Sequence, residues 1–257
     1  MPERRRYAKI IFAQAASIAL FLAVWEYAVR SGAIPSIFLS PPSEIARNFF
    51  SVLSIPLVRQ KLPYGLAVTV LTFGGVLAGG VVTGLLIGSN RFVNAVFQPF
   101  LVLIYSVPRS VLVVVFWVFF GLGFFYQFWF GFLSGMLPIA LNTIYALHDI
   151  DPSYLRVAHS MGASESHIFT KIVLPSVVPS ILSGARIAFN LTFGAILIAQ
   201  EFVGTSGIGY LVIHYTDLFA STQLDVIVVV TALFGMAFNM FLLLLERRLT
   251  RWNIKPY

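Results

Sequence analysis

The chain has 257 residues, 58% of them hydrophobic and only 11% charged, with mean hydropathy +0.88 and a formal net charge of +7. Too little polar surface remains for a water-soluble domain, and the basic residues gather at the ends of apolar runs, which marks membrane topology and argues against nucleic-acid binding. With no cysteine there is no disulfide, no thiolate metal site and no cysteine nucleophile.

A hydrocarbon core about 30 Å thick takes roughly 20 apolar residues per helix. Stretches 10–29, 65–88, 95–120, 128–147, 181–199 and 226–245 meet that length and predict an all-α membrane protein of six transmembrane helices, a single transmembrane domain over 1–257. The first run follows ERRRYAK, and it is longer than the apolar core of a secretory signal, so it is expected to be a retained span. Glu26 lies near its outer end, where snorkelling is cheap. Residues 30–63 contain IPSIFLSPPSEIARNFFSVLS, in which two prolines, Ser43 as a cap, and Ile45, Ala46, Phe49, Phe50 and Val52 predict a short amphipathic helix along the membrane surface.

In the second span Gly80, Gly84 and Gly88 recur every fourth residue, with Gly75 and Gly79 at the same interval, so this helix should pack closely on another. The third span is interrupted by Ser106, Val107, Pro108, Arg109 and Ser110. Proline beside serines permits an opened helix, and an arginine at depth is costly enough to be functional; the competing reading has Arg109 snorkelling to the inner headgroups. Gly131 and Gly135 give the fourth span a packing face, and Pro138 predicts a kink. The fifth span carries Arg186 and Asn190 and ends at Gln200 and Glu201. Pro108, Arg109, Arg186, Asn190 and Glu201 are the candidate pathway residues. Phe116, Phe119, Phe125 and Phe193 could line a pathway, although aromatics in spans more often pack or face lipid. GTSGIGYLVIHYTDLFASTQ then predicts a surface or re-entrant helix before the last span.

Both termini are basic, so the positive-inside rule places both in the cytoplasm of a multi-pass protein of the cell (inner) membrane. In that topology Arg4, Arg5, Arg6, Lys9, Arg91, Arg156, Lys171, Arg247, Arg248, Arg251 and Lys255 lie inside, against Arg30, Arg47, Arg59 and Lys61 outside.

Residues 149–179 are the longest polar-bearing segment and fall on the cytoplasmic side, between spans four and five. Asp151 before Pro152 predicts an N-cap with proline at the first helical position. Tyr154, Val157, Ala158 and Met161 then form one apolar stripe, and Gly162 should end the helix with positive φ. Ser164 caps a second short helix with Glu165 in its first turn and Lys171 near its end, and Pro175 and Pro179 are expected to break or kink the chain beyond it.

No lysine is followed by serine or threonine, so there is no phosphate-binding loop; if ATP drives this protein, another chain binds it. His148, His159, His167 and His214 show no metal-ligand spacing, and no catalytic constellation is present. The expectation is a chain that is not an enzyme, with no cofactor.

The polar segment resembles the signature loop of binding-protein-dependent ABC transporter permeases, E-A-A-x-x-x-G, nine residues, then I-x-L-P. Gly162, then Ala163 to Lys171, then Ile172, Val173, Leu174 and Pro175 fit its second half. The first half departs: Arg156 stands at the glutamate position and Val157 at the first alanine, and only Ala158 agrees. LSPPSEI, the Pro108 region, GTSGIGYLV and the terminal LLERRLTRW extend the similarity to the branch importing nitrate, sulfonates, taurine and related molecules. The resemblance implies a type I importer permease whose 149–179 loop is a coupling helix. Arg156, Ala158, Gly162, Ala163, Ile172, Leu174 and Pro175 would be its ATPase-coupling residues. It also implies ABC ATPase subunits, an extracytoplasmic solute-binding protein and a second permease copy as partners, in contact with membrane lipid. Arg109 favours a small organic or inorganic anion as solute. The alternatives are a neutral or zwitterionic vitamin or pyrimidine precursor and, less favoured, an ion-coupled secondary transporter.

Overall fold

The computed structural model describes residues 2–250, with side chains from residue 9 onward. The side chains of Arg4, Arg5 and Arg6, and residues Arg251 and Lys255, lie outside the described residues. Every regular element among the described residues is helical: α1 (Pro2–Arg30), α2 (Pro42–Leu53), α3 (Pro56–Gly88), α4 (Arg91–Ser106), α5 (Arg109–Phe120), α6 (Phe124–His148), α7 (Pro152–Ser160), α8 (Glu165–Ile168), a π-helical turn (Phe169–Val173), α9 (Leu174–Val203), α10 (Ile208–Asp217) and α11 (Ser221–Leu249).

Five helical stretches are long and apolar enough to cross a membrane, namely Lys9–Arg30, Pro56–Gly88, Phe124–His148, Glu165–Val203 and Ser221–Leu249. The sixth is a correction to the expected continuous span over 95–120. There α4 and α5 qualify only as a pair, bent by 99° at the break. Val107 is held at φ −70°, ψ 130°, the extended conformation that a following proline enforces, and α4 closes with Val107 N–H donating to Ile104 O at 3.2 Å.

The chain divides into two compact units. Met1–Lys61 with Leu211–Thr231 is held by polar bonds around the LSPPSEI segment. Ser40 N–H donates to Asp225 Oδ2 at 2.7 Å, its hydroxyl meets those of Ser221 and Thr222, and Thr222 reaches Glu44 at 3.1 Å. One expectation changes here. The N-cap of α2 is Pro41, without a side-chain bond, and not Ser43. Ser43 instead donates its N–H (3.0 Å) and hydroxyl (2.7 Å) to Glu26, which also pairs with Arg30 at the surface.

Leu62–Tyr210 with Ala232–Tyr257 is built around α6. The glycine row of α3 lies against it: a Cβ on Gly80 would come within 2.7 Å of Ile139, on Gly84 within 2.5 Å of Thr143, and on Gly88 within 2.7 Å of Leu147. Backbone-to-backbone approach is what the spacing predicted. Nearer the start of α6, Gly131 faces Ile196 and Gly135 faces Thr192 of α9, with Thr72 and Val76 of α3 also close. Pro138 sits inside the continuous α6. Phe189 stacks on Phe238 with centroids 4.2 Å apart, and Phe193 packs on Phe189 and Phe234, so Phe193 is a packing residue. Buried Gln200 donates to Gln127 at 3.1 Å and accepts from Gly209 N–H at 3.1 Å. The glycines of GTSGIG make room for it, since a Cβ on Gly207 or Gly209 would overlap Gln200 or its neighbours.

Candidate functional site

The 149–179 segment folds largely as its local chemistry dictates. Asp151 caps α7, its Oδ1 accepting from Ser153 N–H at 2.8 Å, and Pro152 begins the helix where a missing N–H costs nothing. The bonds from Ser153 hold the Asp151 carboxyl below its ordinary value, with Arg156 contributing further. Of the apolar stripe, Ala158 is buried, whereas Tyr154, Val157 and Met161 are 63%, 58% and 82% exposed. A short helix thus presents three large apolar side chains that the described residues leave mostly exposed.

The elbow at the end of α7 is a Schellman closure. Gly162 N–H donates to His159 O at 2.9 Å and Ala163 N–H to Ala158 O at 3.1 Å, with Gly162 at φ +76°. Ser164 caps the next turn, its hydroxyl accepting from His167 N–H at 3.4 Å. His159 spans the elbow: Nδ1 contacts Leu155 O at 2.7 Å and Nε2 contacts Glu165 Oε1 at 2.8 Å. The Glu165 carboxylate, then the Leu155 carbonyl, raise the pKa of His159. Sequence reading missed this link, because two residues six apart meet only once the glycine has turned the chain back.

Beyond the elbow, of the break or kink expected at Pro175 and Pro179, the break does not occur. α8, the π turn and α9 form one uninterrupted helical run from Glu165 to Val203. Pro175 would clash with the carbonyl of Lys171 in a regular helix, and the wider π turn over Phe169–Val173 lies at that position. Lys171, Ile172 and Pro175 form one wall of a groove of about 810 Å³, and Tyr154, Val157 and Met161 form the other. Of the residues expected in the loop, Ala158, Ile172 and Pro175 line this groove, Gly162 and Ala163 form the elbow, Leu174 is half-buried at the start of α9, and Arg156 is exposed beside Asp151.

The candidate pathway residues fall in three places. Pro108 and Arg109 stand at the α4–α5 break, where the Arg109 guanidinium lies 6.0 Å from the Tyr105 ring centre. Arg186 and Asn190 share a cavity of about 540 Å³ between α9 and α11, with Ser183 and Asn239 also in its wall. Glu201 is apart from both, exposed near the end of α9. Among the described residues no group of three histidine, aspartate or glutamate side chains could hold a metal ion.

The sequence model of the family described as binding-protein-dependent transport system inner membrane component matches residues 80–255. The chain is 23% identical over 242 residues to the taurine transport system permease protein TauC of Escherichia coli (strain K12), covering 92% of this chain and 88% of that protein. It is 27% identical over 191 residues to the formylaminopyrimidine transport permease protein ThiX of Halalkalibacterium halodurans, covering 74% and 76%. Among solved structures, an inward-facing conformation of the MetNI methionine ABC transporter aligns with TM-score 0.64 at 18% identity, over 78% of this chain and 98% of the other. That likeness speaks to the fold.

Proposed function

The chain belongs to the family of binding-protein-dependent transport system inner membrane components, and from that premise we propose that it carries a small anion, of the sulfonate, taurine or nitrate class, as the permease subunit of an ATP-driven importer. Membership makes it a multi-pass inner-membrane subunit of an ABC importer; the solute, the docking surface and the assembly are our reading. ATP would be hydrolysed by separate ATPase chains docking on the α7 face, the solute would arrive on an extracytoplasmic binding protein, and two copies of this chain would enclose the pathway with all termini in the cytoplasm.

The observation that carries this reading is the exposed apolar face of α7 joined through a rigid elbow to the longest helical run in the chain. Burying Tyr154, Val157 and Met161 in a partner's groove would supply about 1.5–3 kcal/mol per large side chain, which gives the contact its strength. Direction comes from the rod behind it. At 1.5 Å per residue, Arg186 lies about 30 Å along the helical run from Glu165. A displacement of the elbow by closing ATPases is thereby delivered to the Arg186 and Asn190 face, shifting the population between inward- and outward-open states. In this reading Ala158, Ile172, Leu174 and Pro175 seat α7 against the rod, Gly162 and Ala163 keep the elbow, and Arg156 faces the ATPase, where an acidic residue would complement it. Pro108, Arg109 and Glu201 would border the pathway.

The relationship to ThiX favours a second reading, in which the solute is a pyrimidine precursor and not an anion. An ion-coupled secondary transporter fits a binding-protein-dependent family poorly.

Because the chain has no native cysteine, single cysteines at Val157 and Met161 can be cross-linked to the co-expressed ATPase from the same operon. Cross-links at these positions that change in yield with ATP are expected. ATP-independent uptake by the reconstituted chain, or cross-linking no greater than at exposed Phe50 on α2, would sink the reading.

A further inference from the structure

The cavity between α9 and α11 gathers one guanidinium and two carboxamides on membrane-spanning helices, where such groups are expensive unless they have a task. Ser183, Arg186 and Asn190 follow at steps of three and four along α9, so they occupy one face over about 10 Å. Asn239 faces them from α11, and Met236, Met240 and Ile187 supply apolar wall.

The bonds already made determine which atoms remain. Asn239 Nδ2 donates to Asn190 Oδ1 at 2.7 Å and to Gly235 O at 3.1 Å. The carbonyl of Gly235 can only accept, which fixes the Asn239 amide as donor and the Asn190 oxygen as acceptor. Asn190 Nδ2 is therefore left as a donor. Arg186 meets Glu246 through Nε at 3.3 Å, out of line for a hydrogen bond, and Glu246 is not in the cavity wall. The carboxylate meets the guanidinium at Nε, and among the described residues no hydrogen bond engages its two terminal nitrogens.

A planar guanidinium fork beside an amide N–H₂ matches the oxygens of a compact oxyanion, two on the fork and one on the amide. We propose that this cavity binds a small oxyanion with a sulfonate-type head through Arg186 and Asn190, the apolar wall of Met236, Met240 and Ile187 receiving a short carbon chain. It rests on the anion-importer reading above and gives that reading a binding site within the membrane.

The absence of cysteine makes a direct test possible. Ser183→Cys places a single thiol on the cavity wall, and its reaction with a maleimide is timed on the purified full-length chain in lipid nanodiscs at constant ionic strength. Methanesulfonate is expected to slow labelling and the neutral dimethyl sulfone is not. Arg186→Gln, and separately Asn190→Leu, should raise the half-protecting concentration about tenfold, the loss of one charge-assisted hydrogen bond. Asn190→Leu leaves the Arg186–Glu246 pair in place, so it decides the matter should Arg186→Gln disturb folding. No protection by methanesulfonate, or protection unchanged in Asn190→Leu, overturns the site. ATP-driven uptake by the complete transporter separates the two failures. Oxyanion uptake without protection of the thiol removes the site and keeps the anion importer, whereas uptake of a pyrimidine with no uptake of methanesulfonate, taurine or nitrate removes both.

Discussion

His159 Nε2 meets the Glu165 carboxylate at 2.8 Å across the Gly162 elbow while its Nδ1 faces the Leu155 carbonyl at 2.7 Å. Both partners are acceptors, and a neutral imidazole carries only one N–H, so the two bonds coexist only in the imidazolium. When His159 is protonated, it thus ties the elbow through both ring nitrogens on the polar loop next to the apolar face of α7.

The pH dependence rests on that geometry. His159 has a folded pKa raised first by Glu165 and then by Leu155. Its contribution to elbow order is fully present below the ordinary histidine value of about 6.5 and is lost as pH rises through the raised value. An NMR titration of the His159 ring should give a midpoint above the ordinary one, falling back in Glu165→Gln; identical midpoints would show that the link does not form.

Gly162→Val should weaken the elbow without disturbing membrane insertion. At φ +76° a β-branched residue costs about 1–2 kcal/mol, and no atom within 4 Å adds a steric term. ATP-driven uptake is expected to fall several-fold while the amount of inserted protein is unchanged, with Gly162→Asn close to wild type because asparagine tolerates this conformation. Full uptake in Gly162→Val would mean the elbow carries no work.

Two glycines on α3 should respond oppositely. A side chain at Gly84 would press on Thr143 and the Ala140 carbonyl, so Gly84→Val should lower stability by about 1–3 kcal/mol or more through overpacking. Gly74 has nothing within 4 Å, and Gly74→Ala should stabilise the helix by up to about 1 kcal/mol. Thermal unfolding in detergent compares the pair; equal shifts would contradict the α3–α6 contact.

Gln200→Leu removes a buried amide that serves two partners, leaving Gln127 Oε1 and Gly209 N–H unsatisfied. A loss of about 1–3 kcal/mol is expected. Gln127 also hydrogen-bonds the Tyr64 side chain, so Gln127→Leu should be destabilising by itself. Thermal midpoints of the two single mutants and the double mutant form a cycle, and losses that simply add would mean that the Gln127–Gln200 pair contributes nothing on its own.

Much of the 149–179 segment was legible in the sequence because its determinants are local. The Asp151 cap, the Pro152 start, the Gly162 stop and the Ser164 cap each depend on atoms within a few residues, and all four occur where the spacing placed them. The glycine row of α3 was readable as a close-packing face for the same reason, although its partner α6 was not. The expected Ser43 cap and the expected break at Pro175 failed because each was judged on its neighbours alone. Ser43 is drawn off its cap by Glu26, seventeen residues away, and Pro175 is accommodated by the π turn before it.

By itself the sequence determined the membrane class, the helical periodicity and the local stops and starts, since composition, spacing and capping act over distances of one or two turns, and its motifs carried the resemblance to the family. The tertiary structure decided which residues meet: Arg186 and Asn190 in one cavity with Asn239, Arg109 at a bend of 99°, Glu201 away from both, and His159 on Glu165. Those pairings depend on how long helices cross and where the chain turns back. Periodicity shows which face of a helix is apolar, but it does not show what stands opposite that face.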